Sequence, residues 1–177
     1  MIGDSITRGF RAKLKENISP DALPNTVATS KSVDNPAFYA LIDYHLASGY
    51  EYSAVHFMSG PHGLHMSTET FKDGFERLVL MLKERLPSAK IAVGTYPRVR
   101  LESDLTKLDA EKTRITEERN AAVCEIAQKY GLPVNDLYRA VGDNPEIYSP
   151  DGLHLSAEGY ALLAETTARF FKTNGII

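Results

Sequence analysis

Two short motifs near opposite ends of this chain hold residue types that can do chemistry: Gly3-Asp4-Ser5-Ile6-Thr7 and Asp151-Gly152-Leu153-His154. Together they offer a hydroxyl, an imidazole and a carboxylate, the set used for nucleophilic acyl transfer. Serine alone is a weak nucleophile at neutral pH. It needs a base to take its proton, and that base needs an orienting partner. Ser5 stands where the apolar Ile2 gives way to a helical pattern. Its Oγ can then face outward, with its N–H at the positive end of a helix. Plainer roles are open to the same residues: Ser5 as a helix cap, Asp151-Gly152 as a turn, His154 as a surface residue.

The elements that must position these groups alternate. Ile6 to Ile18 reads as a helix, with Ile6, Phe10, Leu14 and Ile18 at helical spacing. Asn25 to Ser30 predicts a short strand. Pro36 suits a first helical turn, with Phe38, Leu41, Ile42 and His45 following on one face. Tyr52 to Phe57 predicts a strand. Thr68 to Leu86 predicts a helix that Thr68 caps. Lys90 to Thr95 reads as a strand, Leu108 to Tyr130 as a long helix stopped by Gly131, Leu132 to Val134 as a short strand, and Ser156 to Lys172 as the last helix. Strands separated by helices imply right-handed crossovers and a mostly parallel sheet covered on both faces. Ligands of such sheets bind beyond the carboxyl ends of the strands. Ser5, Ser30, the segment from Met58 to His65, and Tyr96 all follow predicted strands, so they are expected on one rim.

Composition narrows the function classes. The 177 residues suit one domain, and the apolar and charged fractions, 43% and 24%, are ordinary for a soluble globular chain. A net charge of −3 gives no footprint for nucleic acid, and no apolar run is long enough to span a bilayer. The lone Cys124 excludes an intrachain disulfide and reads as a small buried hydrophobe within a helix. His56, His62 and His65 could bring imidazoles together, but no carboxylate or cysteine lies close to them in sequence, and no metal is expected. The charges from Lys107 to Arg119 alternate at helical spacing and read as a solvated face. Arg98 and Arg100 follow the fourth strand, where they can meet an anionic substrate or stay structural.

With these motifs in hand, the chain resembles the SGNH, or GDSL, hydrolases. The likeness rests on Gly3-Asp4-Ser5 paired with Asp151-Gly152-Leu153-His154, and extends through Gly94-Thr95-Tyr96-Pro97, Asn135-Asp136-Leu137-Tyr138 and Leu155-Ser156-Ala157-Glu158-Gly159-Tyr160. The resemblance implies a three-layer α/β/α flavodoxin-like fold over residues 1–177. It also implies a serine esterase that needs no cofactor, with Ser5 as nucleophile, His154 as general base and Asp151 as orienting carboxylate. The family's oxyanion hole usually combines the serine N–H, a glycine N–H after the second strand and an asparagine side chain after the third. This chain departs from that pattern. It has Ser30 and Lys31 where the glycine is expected, and Met58-Ser59-Gly60-Pro61-His62 in place of an asparagine-bearing loop. Gly60-Pro61-His62 is similar to a Gly-x-His variant found in some relatives. The expected donors are therefore the N–H groups of Ser5 and of Ser30 or Lys31, with a third from Ser59, Gly60 or His62.

Relatives carry a full apolar strand before Gly-Asp-Ser, whereas here only Met1 and Ile2 precede it. The first strand is thus expected to be truncated, with further residues upstream in the natural protein. Localisation stays open, with the cytoplasm as default. Three function classes follow: hydrolysis of small acyl esters, acetyl esters of carbohydrate among them; a binding protein on the same fold, impaired by the missing asparagine; or a phosphate-binding module at the Ser5 helix. The last lacks a Gly-x-x-x-x-Gly-Lys run.

Overall fold

The structure, a computed structural model, describes residues 1–60 and 62–177. Its frame is a five-stranded parallel sheet. β1 (Ile2–Gly3) leads through α1 (Ser5–Asn17) to β2 (Val27–Ala28). From there α2 (Pro36–Leu46) crosses back to β3 (Ala54–Met58), and α3 (Thr68–Arg85) continues to β4 (Lys90–Gly94). A two-stranded antiparallel hairpin, β5 (Arg100–Leu101) and β6 (Asp104–Leu108), precedes α4 (Ala110–Tyr130). β7 (Val134–Asn135), the short α5 (Leu137–Val141), a 3-10 turn at Pro145–Ile147 and α6 (Ala157–Thr173) complete the chain. The sheet order is β2-β1-β3-β4-β7. Connections leave β1 and β3 in opposite directions, so the order reverses between them. In an open α/β sheet that reversal leaves a crevice at the carboxyl ends of the two strands.

Alternation along the strands divides the core. Val55, Phe57, Ile91 and Val93 face α2, α3 and α4, where Phe38, Phe71, Phe75, Leu78 and Val123 are buried. Met58 and Ala92 face the other way, against Ile6, Phe10 and Leu14 of α1, Leu137 of α5, and Leu163, Ala164 and Ala168 of α6. The sheet is therefore sandwiched between three helices on one face and three on the other. This is the α/β architecture expected from the sequence.

Local signals account for the helix ends. Asp4, Asn35, Ser67, Asp109, Asp136 and Ser156 each accept a backbone N–H at a helix start. Gly131 closes α4 in the left-handed conformation. Several expectations need correction. Ser67 rather than Thr68 caps α3. In α2, Tyr39 is buried, whereas Leu41 is 40% exposed. Cys124 is exposed, on the outer side of α4. The β5–β6 hairpin is an element the sequence reading did not include, and the helix read from Leu108 begins only after Asp109.

β1 contributes only two residues. Ile2 lies opposite Phe57, and the Met1 carbonyl accepts the Val27 N–H at 2.9 Å at the amino end of the sheet. A cavity of about 560 Å³ opens at that end of the sheet, lined in part by Met1, Ala54, His56 and Phe171. It lies at the amino ends of the strands, away from the rim that carries Ser5.

His56 is 2% exposed and packs edge-on against Phe171 at 5.6 Å between ring centroids. Its Nε2 faces the Asn135 amide at 3.3 Å, and its Nδ1 has no partner. Burial pushes its pKa down to about 3. The unfolded chain takes up a proton on this histidine below pH ~6.5, which the folded chain resists until about pH 3. Stability is therefore lost as pH falls across that window, at up to about 1.4 kcal/mol per pH unit. His56→Leu should flatten the decline of Tm between pH 7 and pH 4, because Asn135 retains its bond to Thr167 Oγ1. Parallel Tm-versus-pH curves for the variant and the parent would refute this assignment.

Candidate active site

Strand register dictates which loops meet. Gly3 pairs with Ala28, Ile2 with Phe57, and Met58 with Gly94. Counting forward, Ser5 is brought level with Ser30 on one side, Gly60 on the other, and Tyr96 beyond it. All four residues follow the carboxyl ends of parallel strands. Ser5 is also the first residue of α1, where helix N–H groups have no intrahelical acceptor.

The C-terminal motif reaches the same rim through a tight turn. Gly152 N donates to Ser149 O at 3.0 Å, Ser149 N to His154 O at 2.8 Å, and Ser156 N to Ile147 O at 2.9 Å. Gly152 has φ 68°, and a β-carbon there would lie 2.2 Å from the Arg100 carbonyl oxygen. Only glycine allows this turn to lie against the β5 strand, where Arg100 N donates to Gly152 O at 2.7 Å.

At the rim the two motifs meet. Ser5 Oγ lies 2.8 Å from His154 Nε2, across 149 residues of sequence. His154 Nδ1 lies 2.6 Å from Asp151 Oδ2. Asp151 Oδ1 accepts the backbone N–H groups of Leu153 at 3.0 Å and His154 at 2.9 Å. Burial opposes the Asp151 charge. The His154 ring and the two N–H groups outweigh it, and the carboxyl pKa lies below its ordinary value. The Asp151 and His154 side chains are 47% and 36% exposed, so the array faces water.

Of the expected oxyanion donors, the Lys31 N–H donates to Thr29 Oγ1 at 3.1 Å. Ser59 and His62 are half-buried, and Gly60 is buried. Gly60 does approach something closely, but not open space: a β-carbon would lie 2.0 Å from the Tyr96 ring and 2.4 Å from Asp4 Oδ2. Pro61, the middle residue of the Gly-x-His likeness, lies outside the described residues. Met58 is fully buried among Ile6, Leu137 and their neighbours, so it offers nothing to the rim.

Sequence reasoning missed several of the residues that shape this rim. Asp4 is 3% exposed. Its Oδ1 accepts the Ile6 N–H at 2.9 Å. Its Oδ2 lies beside the Tyr96 phenol but has no partner in hydrogen-bonding geometry. Arg100 is 2% exposed and turns inward, donating to Leu105 O at 2.9 Å and Asp143 Oδ1 at 2.5 Å. Arg98 donates to Gly142 O at 2.8 Å and lies over the Tyr138 ring. Arg100 thus braces the hairpin from inside, and Arg98 lies against α5 and the turn that follows it. Arg119, read as part of a solvated face, is 3% exposed. The three candidate metal histidines are not brought together. His56 lies in the core, and His65 Nε2 pairs with Asp34 at 2.9 Å on the surface. Among the described residues no set of three His, Cys, Asp or Glu side chains has metal-binding geometry.

The fold is of the α/β class, and comparison with known proteins supplies the family. The GDSL-like lipase/acylhydrolase family profile matches residues 1–162, and the chain belongs to that family. The fold is similar to that of Est24, a carbohydrate acetylesterase from Sinorhizobium meliloti (TM-score 0.79, 16% identity, covering 99% of this chain and 97% of that one). It is also similar to an aryl esterase from M. smegmatis (TM-score 0.80, 14% identity, 99% and 97%) and a lipase/acylhydrolase from Enterococcus faecalis (TM-score 0.71, 21% identity, 98% and 95%). No curated protein matches the chain.

Asp4 offers a direct test of the electrostatics. Burial raises its pKa, and the Ile6 N–H and nearby His62 oppose that rise without cancelling it. A carboxyl with a raised folded-state pKa contributes most below its unfolded pKa, and the contribution is lost as pH rises through the folded value. Asp4→Asn keeps an oxygen for Ile6 N–H and removes the buried charge. The variant should melt above the parent at pH 8, with each 1 kcal/mol gained reading as about 2–4 °C. The difference should shrink below pH 4. A variant that melts lower at pH 8 would contradict this account.

Proposed function

We propose that this chain is a serine ester hydrolase acting on small acyl esters, with Ser5 as nucleophile, His154 as general base and Asp151 as its orienting carboxylate. The observation that carries this reading is the 2.8 Å approach of Ser5 Oγ to His154 Nε2. With Nδ1–H donated to Asp151, the Nε2 lone pair accepts the Ser5 proton as Oγ attacks the acyl carbon. The carbonyl oxygen becomes an oxyanion, received by the N–H groups of Ser5 and Ser30 and by a donor from the loop after β3. Collapse breaks the bond to the alcohol, which leaves with the proton from His154. Water then attacks the acyl-enzyme with His154 again as base, and Ser5 is regenerated.

The His154–Asp151 pair is partly exposed, so an ester can reach it from solvent. The fold shared with Est24, described as a carbohydrate acetylesterase, adds acetyl esters of carbohydrate to the substrates worth trying. The lack of an asparagine after β3 favours a specific alternative, a binding protein with little turnover, because losing one oxyanion donor costs about 10²–10³ in rate.

Hydrolysis of p-nitrophenyl acetate separates the two. The parent protein should turn it over, and Ser5→Ala should lose at least about 10³-fold in kcat/KM. His62→Ala should lower kcat by about 10²-fold with KM little changed, the signature of a contact made mainly in the transition state. If His62→Ala leaves kcat intact while Ser5→Ala abolishes it, a backbone donor suffices. A parent protein with no activity on any short acyl ester would leave the binding reading in its place.

A further inference from the structure

A helix packed against a sheet and a neighbouring helix ordinarily buries apolar side chains. The middle of α4 instead buries Thr113, Thr116 and Arg119, with Asn120 half-buried beside them. Three of these four grip the loops at the carboxyl rim of the sheet. Thr113 Oγ1 donates to Val99 O at 2.8 Å. The Asn120 side chain holds both backbone groups of Tyr96, accepting from N at 2.8 Å and donating to O at 2.9 Å. Arg119 Nη1 donates to Gly60 O and His62 O, each at 3.3 Å, and Nη2 donates to Gly63 O at 2.7 Å.

Arg119 is the costly member of this stripe. Its guanidinium lies 5.0 Å from the centre of the Phe71 ring, its Nε has no partner, and no carboxylate pairs with it among the described residues. A buried cation satisfied only by carbonyls is expensive, and a hydrophobe of similar volume would seal α4 against α3 at lower cost. What the guanidinium supplies instead is geometry. A planar fork reaches three carbonyls of one loop at once, which a lysine ammonium on a single flexible stem cannot match. Because a peptide's C=O and N–H point in opposite directions, holding His62 O and Gly63 O toward α4 turns the N–H groups of Gly63 and Leu64 away from it. The same grip keeps Gly60 against Asp4 and Tyr96, directly behind Ser5.

We propose that Arg119 is a positioning residue of the hydrolytic site, fixing the loop after β3 so that its donor meets the oxyanion formed at Ser5. The proposal rests on the ester-hydrolase reading, and its test separates the two. Arg119→Met and Arg119→Lys are compared with the parent in p-nitrophenyl acetate hydrolysis and in amide hydrogen exchange. The Met66 amide, which donates to Gly63 O at 3.0 Å, is the reporter of loop order. Arg119→Met should lower kcat by about 10–100-fold while KM changes less than about threefold, and Met66 should exchange faster. Arg119→Lys should recover little of the lost kcat, because charge without the fork does not hold the loop. In Arg119→Ala, millimolar guanidinium ion should restore part of kcat, whereas it should do nothing for His62→Ala. Unchanged kcat in a folded Arg119→Met protein would overturn the proposal. So would a loss of kcat matched by an equal loss of folded protein. If the parent hydrolyses no ester, the hydrolase reading fails. Faster Met66 exchange in Arg119→Met would then show the loop-fixing role standing alone, and unchanged exchange would remove that as well.

Discussion

The packing of α1 against α6 on one face of the sheet is the constraint on which the site depends. Ile6, Phe10 and Leu14 are fully buried on α1, and Leu163 and Ala164 are fully buried on α6 within the same cluster. Three such α1 side chains contribute about 1.5–3 kcal/mol each, against about 1 kcal/mol for a net hydrogen bond. The hydrophobic contact therefore sets the distance between Ser5 and His154, and the hydrogen bond between them follows from it. Both helices start at the same rim. Ser5 opens α1 and His154 precedes the Ser156 cap of α6, so docking the helix pair brings the hydroxyl and the imidazole together.

Two carboxyls near Ser5 are treated in opposite ways. Asp4 is buried, half-satisfied and driven toward its neutral form. Asp151 faces water, accepts three N–H groups and is held in its charged form. Different environments thus give one carboxyl to the helix start and leave the other free to orient an imidazole. The two groups are not interchangeable, although each is an aspartate within a short motif.

Much of this was legible in the chain. Helical spacing located α1, α3 and α6, Pro36 marked the start of α2 and Gly131 the end of α4, because those signals are local. The convergence of Ser5, Ser30, Gly60 and Tyr96 followed from the alternation of strands and helices, which makes the sheet parallel. The β5–β6 hairpin was not legible: its strands are short, and Leu105, Thr106 and Lys107 carry no clear alternation of buried and exposed positions. The burial of Arg119 was hidden for a related reason. Its neighbours Glu117 and Glu118 are exposed, and nothing in a run of charges says which one faces a loop distant in sequence. The same is true of Lys31, whose N–H is claimed by a threonine hydroxyl two residues away. Helix periodicity finds the core face, but it does not reveal which polar side chain is spent on another segment's backbone.

The placement of Ser5 at the start of α1 and of His154 just before α6 has a consequence for biosynthesis. Ser5 and His154 are separated by 149 residues, so α1 leaves the ribosome well before α6. A nascent chain can form α1 before any imidazole lies beside the Ser5 hydroxyl. The contact between the two side chains therefore forms only once α6 has docked.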